Sequence, residues 1–127
     1  MTGARVPPVL EAFVARFNAG GFWESHEILE GAWRENGSAF YQGLILFASA
    51  FVHVRRANQH GVRAQLVKAE ARLHPFRPSY LGVDVDAVLD AADAARRAMA
   101  VGILPVAPNL MLDPTMVRGD ERELGGG

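Results

Sequence analysis

The sequence contains no cysteine. That excludes disulfides, thiolate zinc sites and thiol nucleophiles together. It has no excess of either charge: 13 Lys and Arg stand against 14 Asp and Glu, giving a formal net charge of −1. Neither nucleic acid nor an anionic membrane is favoured electrostatically as a partner. The longest strongly apolar run, Gly43 to Val52, falls well short of the roughly 20 residues needed to span a bilayer. The opening residues, MTGARVPPVLEAFVARF, hold no secretory apolar region and carry Glu11 and Arg16, so the cytoplasm is the expected location. No strand pattern and no internal repeat stands out. What remains is a chain of 127 residues, half of them apolar and 21% charged. That composition suits one packed domain rather than a disordered chain.

Five helical segments are predicted. The first covers about Pro8 to Asn18, with Pro8 in the first turn, Gly20-Gly21 beyond its end, and a stripe of Leu10, Phe13, Val14 and Phe17. The second spans about Phe22 to Asn36, closed by Gly37. The third starts after a Ser38 N-cap and continues to about Asn58. The fourth follows Gly61, turns Val62, Leu66, Ala69 and Leu73 inward, and stops before Pro75. A loop leads to Asp84 as N-cap of the fifth, which buries Val85, Val88, Leu89, Ala92 and Met99. Beyond Gly102, ILPVAPNLMLDP reads as an extended strap. The expected fold is all-α, a compact bundle of about five helices with an irregular C-terminal strap. Residues 1–112 are expected to form the domain and 113–127 a flexible tail. The adhesion-like tripeptide Arg118-Gly119-Asp120 is read as a chance match.

The stretch FNAGGFWESHEILEGAWR, from Phe17 to Arg34, carries the main chemical signal. At 100° per residue, His26 falls in the middle of an apolar helix face and Glu30 at its edge. Ionisable groups so placed are costly to bury unless paired or ligated. The third segment is apolar or small at almost every position from Phe40 to Val54, apart from Gln42, Ser49 and His53. With Arg56, these polar residues fall within a sector of about 60°. That stripe either faces solvent or meets His26 and Glu30 in a polar seam inside the bundle.

FNAGGFWESHEILEGAW, FYQGLILFASAFVHVRRANQHGVRAQL and YLGVDVDAVL resemble the bacterial and archaeal family known as domain of unknown function 309. The family pattern of an F-N-x-G opening, an E-x-H-E-x-L-E-x-x-W helix, a Q-G-L-I segment and a mid-helix His is met at Asn18, Gly20, Glu24, His26, Glu27, Glu30, Trp33, Gln42 and His53. The chain departs from it after Gly61, where Val62-Arg63 replaces Ala. The resemblance implies an all-helical fold and no established activity. It adds weight to the seam, because His26, Glu30, Gln42 and His53 occupy its recurrent positions.

The H-E-x-x-E order of His26, Glu27 and Glu30 puts a carboxylate where a zinc protease needs its second His, so no such enzyme is implied. Two readings of the His/Glu cluster stay open. One is a buried hydrogen-bonded network of His26, Glu27, Glu30, Gln42 and His53 within a binding or interaction module. The other is a divalent metal held by His26, Glu30 and His53, making a hydrolase-like enzyme. Glu30 and Arg34 can instead pair at i, i+4. Arg55, Arg56 and Asn58 are candidates to bind an anion at a helix corner, and the apolar third helix is a candidate surface for a homo-oligomer. The ligand itself is not named by the sequence.

Overall fold

The computed structural model describes residues 6–116. It is an all-α bundle: α1 (Pro8–Asn18), α2 (Phe22–Asn36), α3 (Ala39–Arg55), α4 (Gln59–Leu73) and α5 (Val85–Ala100). The expected tail beyond 116, with Arg118-Gly119-Asp120, lies outside the described residues. Among the described residues no helix is long and apolar enough to cross a membrane.

Helix α3 is the axis of the bundle. Ten of its residues are buried, from Phe40 to Val52, and it packs against α2 on one side and α4 on the other. Its start is fixed by Ser38, whose hydroxyl accepts the Tyr41 N–H. Gly43 lets α4 approach: a Cβ there would sit 2.7 Å from the Leu73 side chain. Phe47 and Phe51 of α3 meet Phe17 of α1 and Phe22 of α2, with ring centroids between 4.9 and 5.8 Å apart. Offset and edge-on contacts at these distances suit the ring quadrupoles. This aromatic cluster locks the first three helices together and so places the start of α2 beside the end of α3.

Three helices end in the same device. The Gly21 N–H bonds the Arg16 carbonyl and the Gly20 N–H that of Phe17, with Gly20 at φ 87°. The Asn58 and Ala57 N–H groups repeat this on His53 and Val54, and those of Ile103 and Gly102 on Ala98 and Met99. Each is a Schellman closure.

The structure moves two sequence boundaries. α3 stops at Arg55 rather than near Asn58, and α4 begins at Gln59, before Gly61. The reason is Asn58, which leaves the helix and caps the next one by accepting the Gly61 N–H. The loop before Asp84 also holds a small antiparallel hairpin, β1 (Ser79–Tyr80) and β2 (Val83–Asp84). Leu81 and Gly82 both take positive φ in its turn, 50° and 87°, as a two-residue primed turn requires. Asp84 caps α5 as expected, accepting the Ala87 N–H.

The strap after Gly102 crosses back over α1 and the hairpin. The Asn18 amide bonds the Leu110 backbone twice, at 2.8 and 2.7 Å. The Asp113 N–H reaches the Gly82 carbonyl at 2.8 Å, and Leu112 bridges Val83.

Candidate functional site

The Gly20-Gly21 corner starts α2 without a side-chain cap. From there Trp23, His26, Glu30 and Arg34 line one face, spaced i, i+3, i+7, i+11. The Trp23 and His26 rings stack, with centroids 5.2 Å apart and planes 14° from parallel. His26 Nε2 is 3.6 Å from one Glu30 oxygen, and the other accepts from Arg34 at 2.8 Å. The His26 side chain is 16% exposed. Its Nδ1 is fully covered and has no hydrogen-bond partner among the described residues. Trp23 remains 48% exposed.

Two arginines reach this face from the end of α3. The Arg56 guanidinium carbon lies 5.8 Å from the Trp23 ring centroid, and that of Arg55 lies 4.5 Å from the Phe22 ring. Both are cation–π contacts. Gly20 makes room for the second, since a Cβ there would stand 3.0 Å from Arg55 Nη2.

Behind the arginines the chain turns through Ala57, an alanine at φ 53°. Asn58 then clasps two elements. Its Oδ1 accepts the Gly61 N–H at 3.0 Å, so its NH₂ faces His53 Nδ1 at 3.1 Å. By those roles His53 Nδ1 is an acceptor and the neutral ring carries its proton on Nε2. Gly61 is needed for this fit, because a Cβ would stand 2.6 Å from His53 Nδ1.

The sequence-predicted residues divide accordingly. His26 and Glu30 stand together, with Glu27 exposed beside them. Gln42, Ser49 and His53 are partly exposed on α3. Among the described residues none of them is hydrogen-bonded to His26 or Glu30. What crosses from the α3 stripe to α2 is Arg56, onto Trp23. The set His26, Glu30 and His53 is not gathered as metal ligands; among the described residues no three His, Asp or Glu side chains are. Glu30 is committed to Arg34, and His53 directs Nδ1 to Asn58. Of the anion candidates, Arg55 and Arg56 converge on the α2 face, whereas the Asn58 amide is engaged at both ends.

Sequence reasoning missed Trp23 as the centre of the face and Ser25 as a buried group. The Ser25 hydroxyl donates to the Phe22 carbonyl at 2.8 Å. The cationic cluster that sequence reasoning did name, at Arg55 and Arg56, lies in a wider charge asymmetry. Between Glu35 and Glu70 there is no Asp or Glu, but there are Arg55, Arg56, Arg63, Lys68, His53 and His60. Among the described residues Arg55, Arg56 and Arg63 have no carboxylate partner. That signal was available by counting charges per segment.

Residues 10–65 match the model of a family described as Domain of unknown function (DUF309), in keeping with the resemblance seen in the sequence. The matched segment runs from α1 into α4 and contains Trp23, His26, Glu30, Gln42, His53, Arg55, Arg56 and Asn58. No curated protein matches the chain.

Proposed function

We propose that this chain, whose family match brings no activity with it, is a small binding module that takes an acidic segment of a partner protein on the Trp23–Arg55–Arg56 face. The observation that carries the reading is the pair of arginines laid over Phe22 and Trp23, neither with a carboxylate partner among the described residues. Exposed Trp and Arg are the side chains that most often anchor interfaces. Here both are pre-positioned, so little side-chain freedom is lost on binding. His26 and Glu30 serve the face from behind. His26 backs the Trp23 ring, and Glu30 ties His26 to Arg34. Glu24 and Glu27, exposed on α2, limit the positive sector on that side and disfavour an acidic chain docked along α2 itself.

The test is titration of an Asp- and Glu-rich peptide, followed by tryptophan fluorescence. Binding should weaken steeply with added salt. Replacing Arg55 and Arg56 together by Glu should weaken it at least about tenfold, while lowering the melting midpoint by only several degrees, because the two cation–π contacts contribute about 0.5–1 kcal/mol each. Equal affinity in the double variant would refute the proposal. Tighter binding to an oligonucleotide than to the peptide would redirect it to nucleic acid.

A further inference from the structure

A cavity of about 140 Å³ lies where the strap crosses the bundle. Phe13 and Val14 of α1, Leu44 of α3 and Val88 of α5 line it on the bundle side, and Pro108, Leu110 and Met111 line it from the strap, where it is partly open to solvent. Well-packed interiors hold few spaces larger than a water molecule. An apolar space of about this size is known to take benzene. The lining here is mainly apolar, and among the described residues Asp84 is the one charged group in it. Asp84 Oδ1 is used to cap α5 through the Ala87 N–H at 3.0 Å. Oδ2 has no hydrogen-bond partner among the described residues.

We propose that this cavity is a binding site for one small, uncharged, aromatic or aliphatic molecule of about six to eight non-hydrogen atoms. Its class follows from the walls. The apolar lining selects hydrocarbon, and the Asp84 carboxylate disfavours an anion. The remaining carboxylate oxygen accepts a hydrogen bond from a hydroxyl or N–H on the ligand rim. The strap is the cover. It is pinned at Leu110, Leu112 and Asp113. Upstream it carries exposed Ile103, Leu104 and Val106 around a buried Pro105. The site uses none of the residues of the arginine face and stands independently of it.

Benzene, phenol and benzoate are the probes, each added to the full chain. Benzene and phenol at about ten times their dissociation constants should raise the melting midpoint by roughly 4–7 °C, with phenol the tighter of the two. Benzoate should leave it unchanged. Methyl NMR shifts on adding phenol should centre on Val14, Val88 and Leu110. Ala87→Leu, which adds an isobutyl group at the cavity wall with little loss of helix propensity, and Leu44→Phe should each abolish the response. If Leu44→Phe does not fold, Ala87→Leu carries the test alone. No response to benzene or phenol by either measurement would overturn the proposal. So would a response that survives Ala87→Leu, or benzoate binding as well as phenol.

Discussion

Ala57 occupies a position that glycine fills at the ends of α1 and α5. Gly20 and Gly102 close those helices at φ 87° and 77°, and Ala57 closes α3 at 53°. A Cβ in the left-handed region costs about 1–2 kcal/mol per residue. Ala57→Gly relieves that strain but adds unfolded-chain entropy, so a net gain of about 0.5–1 kcal/mol is expected. Urea melts check it, and a lowered midpoint would contradict it. The strained residue sits directly behind Arg55 and Arg56, where it sets the direction in which the chain leaves α3. A second residue-scale effect concerns acid. Asp113 accepts from the Thr115 hydroxyl at 2.6 Å and from its backbone N–H at 2.9 Å. These bonds, the hydroxyl first, hold the Asp113 carboxyl below its ordinary value. The folded value is therefore below the unfolded one. Its contribution to stability is complete above the ordinary carboxylate range and is lost as pH falls through the folded value. Thr115→Val should raise the Asp113 value toward ordinary in an NMR titration. No movement would show that the hydroxyl is not responsible.

Helices α1, α2 and α5 begin and end where the sequence indicates, because Pro8, Gly37 and Asp84 mark them and their apolar periods are regular. The α3–α4 corner was less legible. Its closure uses alanine where the usual glycine signal would stand, and its cap, Asn58, lies inside what reads as continuous helix. The hairpin was missed because strands of two residues show no alternation. At the site, His26 and Glu30 were legible from their place on an amphipathic helix. The partner of Trp23 was not, because Arg56 reaches it from another helix and only the fold brings the two together. The same element logic ranks the core. Phe51 is 1% exposed and touches Phe17, Phe22 and Phe47. Phe51→Ala should cost about 3–5 kcal/mol. Trp33 is only partly buried against the core, so Trp33→Ala should cost less. Chemical denaturation of the two variants decides the order, and a larger loss for Trp33 would mean that the joint of α1, α2 and α3 does not centre on Phe51.

Across the whole molecule, a near-neutral net charge conceals segregation. Arg55 and Arg56 stand at the α3–α4 corner, while Glu70 and Asp93 hold Arg96 between α4 and α5 at 2.6 and 3.1 Å. The Glu70 hydrogen bond raises the Arg96 guanidinium above its ordinary value, so that cation is committed to structure while Arg55 and Arg56 are not. The stitch between Asn18 and Leu110 acts on the same scale, joining positions 92 apart in the chain. Closing a loop of that length costs about 1.4 kcal/mol more than closing one of about 20 residues. Contacts between sequential helices form without that delay. Folding should therefore assemble α1 to α4 first and seat the strap last. By the same reasoning, the strap should be the first part to lift in the native state. Hydrogen exchange should find the Leu110 and Asp113 amides opening at a lower free energy than the amides of α3. Equal protection would mean that the strap and the helices are one cooperative unit. If the order holds, α1 records two events separated in time: Phe17 is buried early, and one residue later Asn18 waits for the far end of the chain.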